Sequence, residues 1–282
     1  MTVFDATPCD LGEGPLWHPA RQSLFWFDIL GKRLFERDLK GAIRRWQFDQ
    51  HHSAAGWVDR NTLLIASETA LSRFDINSGE ARQVASLEAD NPITRSNDGR
   101  ADPWGGFWIG TMGKQAERGA GTIYRFYKGE LRSIVGDITV SNAICFAPDK
   151  SCAYYTDTVR RRIMRQPLGA EGWPAGDPAV HIDLREAELN PDGAVTDAEG
   201  NIWCAMWDAS CVICFNRDGT ELRRIDLPAR RPTCPAFGGP DLRDLYITSA
   251  THGLPPDESL QDGQTFVLQD VAQGLPEPKV AL

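Results

Sequence analysis

The chain has 282 residues, 41% of them hydrophobic, and carries a formal net charge of −9 with a pI near 5.1. An acidic chain without a clustered basic face argues against nucleic acid as a partner, and no apolar run reaches the roughly 18 residues that a membrane span needs. Without a linker or low-complexity break, residues 1–282 are expected to form one large domain.

The N-terminal Met1-Thr2-Val3-Phe4-Asp5 has no basic n-region and no apolar h-region, so no signal peptide is expected. Seven cysteines, an odd number, then favour reduced thiols and a cytoplasmic location. Six similar units follow. Each has an inner segment, a tight turn rich in Gly, Pro and Asp, a β-branched or aromatic middle strand, its hairpin partner and a less regular outer strand. The middle strands open at Leu24, Leu63, Phe107, Ala153, Ile202 and Leu245, spaced 39, 44, 46, 49 and 43 residues apart. A period in the forties with strands inside each repeat predicts an all-β fold, a six-bladed β-propeller. The ring has to close, because an open end leaves an unpaired strand edge, so Val3-Phe4 is expected to pair into the blade formed by the C-terminal residues. Helix signals are weak, the best being short turns at Gln115-Ala116-Glu117-Arg118 and Asp257-Glu258-Ser259-Leu260.

Ten or eleven positions before each middle strand stand Glu13, Ser53, Asn97, Asn142, Asp192 and Cys234. Equivalent positions of a propeller's innermost strands converge on one central channel. That ring holds two carboxylates and two carboxamides, oxygen donors for a hard cation. Taken singly, each has a plain structural explanation: Asn97 and Asp192 as turn residues close to Gly, Asn142 as a satisfied buried amide. Their shared register favours a metal-binding channel, with Glu13, Asn142 and Asp192 as ligands of one divalent ion. An all-oxygen trio suits Ca²⁺, Mg²⁺ or Mn²⁺ better than a structural zinc cage, although Zn²⁺ also accepts oxygen ligands. Three protein ligands leave coordination positions open, as in a catalytic centre.

Arg95 lies two residues from Asn97, on the same face of its strand, and offers donors to a hydroxyl or a developing oxyanion. His51 and His52 are adjacent, so at most one of them faces the channel. Three other features read as structural. Arg160-Arg161-Arg162 fits a solvated hairpin. Asp197-Ala198-Glu199-Gly200 lacks the ligand spacing of an EF-hand. Cys211 and Cys214 sit three apart in a strand, hence on opposite faces, and cannot form a redox or chelating pair. Gly-x-Ser-x-Gly does not occur in the chain.

The stretches Leu11-Gly12-Glu13-Gly14-Pro15-Leu16-Trp17, Arg95-Ser96-Asn97-Asp98-Gly99, Gly110-Thr111-Met112, Val140-Ser141-Asn142, Pro191-Asp192-Gly193 and Phe237-Gly238-Gly239 closely resemble the regucalcin/gluconolactonase/luciferin-regenerating enzyme family. The resemblance implies a six-bladed propeller with one divalent metal, in a family of mostly cytoplasmic lactone hydrolases. It also implies that Glu13, Asn142 and Asp192 ligate the metal, that Asp192 accepts and returns a proton, and that Arg95 and Asn97 bind substrate. Glu117 matches a substrate-contacting position on a lid loop. The expected activity is hydrolysis of a sugar lactone to its aldonic acid, the metal polarising the ring ester carbonyl, by a monomer or weak dimer. The rival expectations are a propeller esterase or phosphotriesterase and a non-catalytic calcium-binding regulatory protein.

Overall fold

Apolar runs punctuated by turn formers build six four-stranded antiparallel sheets in the computed structural model of the protein, which describes residues 1–255 and 261–282. The six sheets are the blades of a β-propeller. Their innermost strands are Gly12–His18, His52–Asp59, Thr94–Ala101, Ser141–Phe146, Asn190–Thr196 and Pro232–Gly238, each packed against the next around the ring. The ring closes as expected. Thr2–Asp5 pairs antiparallel with Thr265–Leu268, in the register Val3 to Phe266, and so supplies the outermost strand of the sixth blade.

The core lies between blades rather than at the axis. Phe25, Phe27 and Leu34 of the first blade meet Leu63, Ile65 and Phe74 of the second, all nearly or wholly buried. Strand alternation decides which interface a residue joins. Cys211 packs with Ile213 and Phe215 in one cluster, whereas Val212 and Cys214 pack in another, so the C-x-x-C is divided between two interfaces. All seven cysteines are free and buried.

Among the described residues the one helical element is a single 3-10 turn, Thr158–Arg160. The helical turn expected at residues 115–118 is absent. Ala116 adopts φ = 55°, a left-handed value that breaks any helix there. The second expected turn, Asp257–Leu260, lies outside the described residues. The basic run at 160–162 is a hairpin whose side chains all have partners, with Arg160 on Asp137 and Asp157, Arg161 on the Asn190 amide and Arg162 on Asp183.

The C-terminal tail closes one end of the central channel. The Trp57 indole N–H donates to the Glu277 carbonyl at 2.8 Å, Val280 N to Trp57 O at 2.9 Å and Ala281 N to Gly105 O at 2.9 Å. These contacts lead the tail across the C-terminal ends of the inner strands. There the Glu277 carboxylate pairs with Arg100, whose Nη2 also donates to Ala194 O at 3.3 Å. The two side chains are 8% and 10% exposed, so neither charge is hydrated without the other. Replacing Glu277 with Ala removes the ion-pair partner of a buried guanidinium. It is expected to cost about 3–5 kcal/mol in urea unfolding, and an unchanged unfolding midpoint contradicts the pairing.

Candidate active site

At the other end of the channel the inner strands carry their polar residues at β-bulges. Register shifts fall between Glu13 and Leu16, His52 and Ala54, Ser96 and Gly99, Asn142 and Cys145, Pro191 and Ala194, and Pro232 and Pro235. A bulge bends its strand and re-aims side chains out of strict alternation, and all six ring positions lie at or within one. Glycine after each carboxylate permits the convergence. A Cβ on Gly14, which has φ = 54°, would fall 2.2 Å from Ser53 O, and one on Gly193 would fall 2.4 Å from Cys234 Sγ.

Glu13, Arg95, Asn97, Asn142 and Asp192 come together on a cavity of about 480 Å³. Its remaining wall is largely apolar, formed by Leu11, Leu30, Met112, Val140 and Trp207, with Lys114 and His252 also lining it. The polar residues are ordered by a hydrogen-bond chain of fixed direction. Arg95 Nη1 donates to Asn97 Oδ1 at 2.7 Å, and Asn97 Nδ2 donates to Asn142 Oδ1 at 3.1 Å. Asn142 Nδ2 donates to Thr158 Oγ1 at 2.9 Å, and Thr158 Oγ1 donates to Pro191 O at 2.8 Å. The chain crosses from the third blade to the fifth.

The charges do not balance. Glu13 and Asp192, with Asp98 behind them, are buried; the cation whose charge acts on the first two is Arg95, and the one that acts on Asp98 is Arg100. Arg100 is already matched by Glu277. Counting Glu13, Asp98, Asp192 and Glu277 in their ionised forms against Arg95 and Arg100 leaves two negative charges, the complement of one divalent cation. Burial, and then the Asp98 charge, push Glu13 up to about 8. Burial followed by the Glu13 and Asp98 charges pushes Asp192 well above the usual carboxylate range, and burial raises Asp98 to about 6. Among the described residues no three His, Cys, Asp or Glu side chains converge as a ligand cluster. A cation here would therefore take two carboxylates and complete its set with amide oxygen and solvent. That donor set fits a hard oxygen-loving ion.

Other sequence expectations fall elsewhere. Ser53 hydrogen-bonds Ser96 at 2.8 Å, and Cys234 lines a water-sized void deeper in the channel. Neither histidine lines the cavity. His52 stacks on Phe48 at 4.0 Å, and burial lowers its imidazole to about 4. His51 Nδ1 meets Glu68 at 2.6 Å, and the same Glu68 pairs with Lys114 at the cavity wall. Glu117 accepts from Gln115 N at 3.0 Å within its own turn and is not among the lining residues. Asp98, Thr158 and Trp207 were not singled out from sequence. For Asp98 a signal existed: Arg95-Ser96-Asn97-Asp98-Gly99-Arg100 is too polar for a buried strand without a polar task.

Residues 11–251 match the family model of the SMP-30/Gluconolactonase/LRE-like region. A Rhizobium meliloti (strain 1021) protein provisionally named a sugar lactone lactonase is 39% identical over 97% of this chain and 94% of its own. The 6-deoxy-6-sulfogluconolactonase of Pseudomonas putida is 33% identical over 97% and 96%. A crystal structure of regucalcin from Agrobacterium tumefaciens, described as a calcium-binding protein, superposes with a TM-score of 0.98. It is 41% identical, covering 100% of this chain and 97% of that one.

The raised Glu13 has a sign that stability can read. The folded, cation-free chain keeps the Glu13 proton up to about 8, whereas the ordinary value is 4.5. Between those values the folded state holds the extra proton, so stability is lost as pH rises. The window from about pH 6.5 to 8 lies above the titrations of His52 and Asp98. There the melting temperature of chelator-treated protein is expected to fall with pH, and less so in Glu13→Gln. Equal slopes in both proteins contradict the assignment.

Proposed function

This chain belongs to the SMP-30/gluconolactonase/LRE-like family, and we propose that it hydrolyses a sugar lactone to the aldonic acid in the open end of its propeller channel. The observation that carries the reading is the pair of buried carboxylates, Glu13 and Asp192, short of counter-charge at the wall of a cavity that also presents Arg95. The names of its relatives point to the same substrate class.

Glu13, Asn142 and Asp192 would hold a divalent ion. When bound, that ion supplies Lewis acidity toward the ester carbonyl and the counter-charge that keeps both carboxylates ionised. Asp192, as carboxylate, takes a proton from the water attacking the ring carbonyl carbon. The acyl C–O ring bond then breaks, and Asp192 returns the proton to the departing alkoxide oxygen. Lactone and water are thereby converted to the hydroxy acid with no covalent intermediate. Arg95 presents its remaining N–H donors beside the carboxylates, suited to ring oxygens and hydroxyls, while Asn97, tied to it at 2.7 Å and donating to Ser141 O and Asn142 Oδ1, orients it toward the substrate. The apolar wall that includes Trp207 and Met112 meets the C–H faces of the sugar and limits water. A purely structural ion would leave Arg95 and this cavity without a task, which favours the enzyme.

A panel of aldonolactones, an aryl ester and a phosphotriester separates the candidate reactions. Lactone hydrolysis is expected to dominate, to vanish with EDTA and to return with Mn²⁺ or Ca²⁺. Undiminished turnover by protein shown by elemental analysis to be metal-free overturns the mechanism. Asp192→Asn is expected to lower kcat by about 10²–10⁴ at matched metal content, and normal turnover by that variant removes Asp192 from proton transfer. Arg95→Ala is expected to reduce kcat/KM about 10- to 150-fold for hydroxylated lactones and less for γ-butyrolactone. Equal losses on both show that Arg95 does not read the sugar.

A further inference from the structure

We propose that Thr158 is a positioning residue that fixes the Asn142 carboxamide with its oxygen turned to the cation site. The proposal rests on the reading of Glu13, Asn142 and Asp192 as holders of a divalent ion. An asparagine amide presents oxygen to one side and NH₂ to the other, and the two orientations are nearly isosteric. Only the oxygen can ligate a cation, so something has to choose between them.

The hydrogen-bond chain makes that choice from both ends. A guanidinium has donors only, so Arg95 facing Asn97 requires Asn97 to present Oδ1, and Asn97 Nδ2 then faces Asn142 Oδ1. A backbone carbonyl has acceptors only. Pro191 O therefore takes the single proton of the Thr158 hydroxyl, at 2.8 Å. With its proton committed, Thr158 Oγ1 can only accept from Asn142, which has to offer Nδ2, at 2.9 Å. Thr158 itself is anchored by its N–H, which donates to Val140 O at 3.0 Å two residues before Asn142. One hydroxyl thus sets the Asn142 amide and ties it to the residue preceding Asp192. It links two ligand-bearing strands, Ser141–Phe146 and Asn190–Thr196, across the blade boundary. Thr158 borders the cavity, but its hydroxyl is committed to Asn142 and Pro191 and meets no reacting atom in this scheme.

Valine at 158 keeps the shape and removes the hydroxyl. It leaves Asn142 Nδ2 without an acceptor and the amide held from the Asn97 side alone. Thr158→Val is expected to weaken Mn²⁺ binding by about 10- to 100-fold, the usual effect of removing a hydrogen-bond partner of a metal ligand, read by calorimetry or by electron paramagnetic resonance of free Mn²⁺. Thr158→Ser keeps the hydroxyl and is expected to bind within about threefold of the parent, on the scale of one perturbed hydrogen bond. The deciding comparison repeats Thr158→Val in an Asn142→Asp background. A carboxylate presents oxygen on both sides, so the orientation no longer matters and the loss is expected to shrink to about threefold or less. A role confined to holding the blades together predicts the same loss in both backgrounds, and that result overturns the proposal. So does Mn²⁺ affinity in Thr158→Val equal to the parent's. Failure of the parent protein itself to bind Mn²⁺ overturns the metal-site reading and this proposal with it, an outcome distinct from the other two.

Discussion

Two buried carboxylates that lack enough positive charge constrain the centre of this molecule. Glu13 and Asp192 sit on inner strands of the first and fifth blades, with Asp98 behind them, and among the described residues Arg95 is the cation whose charge acts on both. Some relief comes from local hydrogen bonds. Glu13 Oε2 accepts from Gly14 N at 2.9 Å, and Asp98 Oδ2 accepts from Ile144 N at 2.7 Å. Such bonds favour the charged form but do not cancel its burial. Like charges held close in a dry channel would push the inner strands apart if nothing else held them. The apolar interfaces between blades, with Phe25, Phe27, Leu63 and Phe74 wholly buried in one of them, supply the restraint. Stability is thus concentrated between the blades and strain at the axis, the usual division between scaffold and site.

The two ends of the channel handle charge differently. At the C-terminal ends of the inner strands, Arg100 and Glu277 neutralise each other, and the tail seals the opening with backbone hydrogen bonds to Trp57 and Gly105. At the other end the acids face a cavity, and the amides are aligned by donors and acceptors that each have one permissible direction. The result is a pocket rather than a pore, with acids and amides at its base and an apolar wall above them. Lys114, held by Glu68, belongs to the loop that follows Phe107–Gly113 and braces the rim.

Much of this was legible in the sequence, because a propeller repeats. The spacing of Leu24, Leu63, Phe107, Ala153, Ile202 and Leu245 exposes blade number and inner strands, and Val3-Phe4 closes the ring as an unpaired edge requires. Glu13, Asn97, Asn142 and Asp192 were visible as polar residues in a shared register, and the cavity holds all four. What alternation alone could not reveal is the bulge. Asn97 and Asp98 are neighbours, and strict alternation sends one of them away from the channel; the shift between Ser96 and Gly99 leaves both at its polar centre. Thr158 and Trp207 were invisible for a different reason. They are ordinary residues outside the inner strands, and only tertiary closure brings them to the cavity. Glu117 accepts from Gln115 N within its own turn, a local fold that a linear view does not reveal.

The central claim is that the acids at the axis are organised around one divalent cation. It is tested most directly by calorimetric titration of chelator-treated protein with Mn²⁺ at pH 7, in two buffers of different ionisation enthalpy. With Glu13 raised to about 8 and Asp192 raised as well, the cation-free site holds protons that an ion displaces. The account predicts one ion per chain, bound with net release of at least one proton, and a smaller release in Glu13→Gln, where burial still raises Asp192. Binding without proton release, or no binding at all, contradicts it.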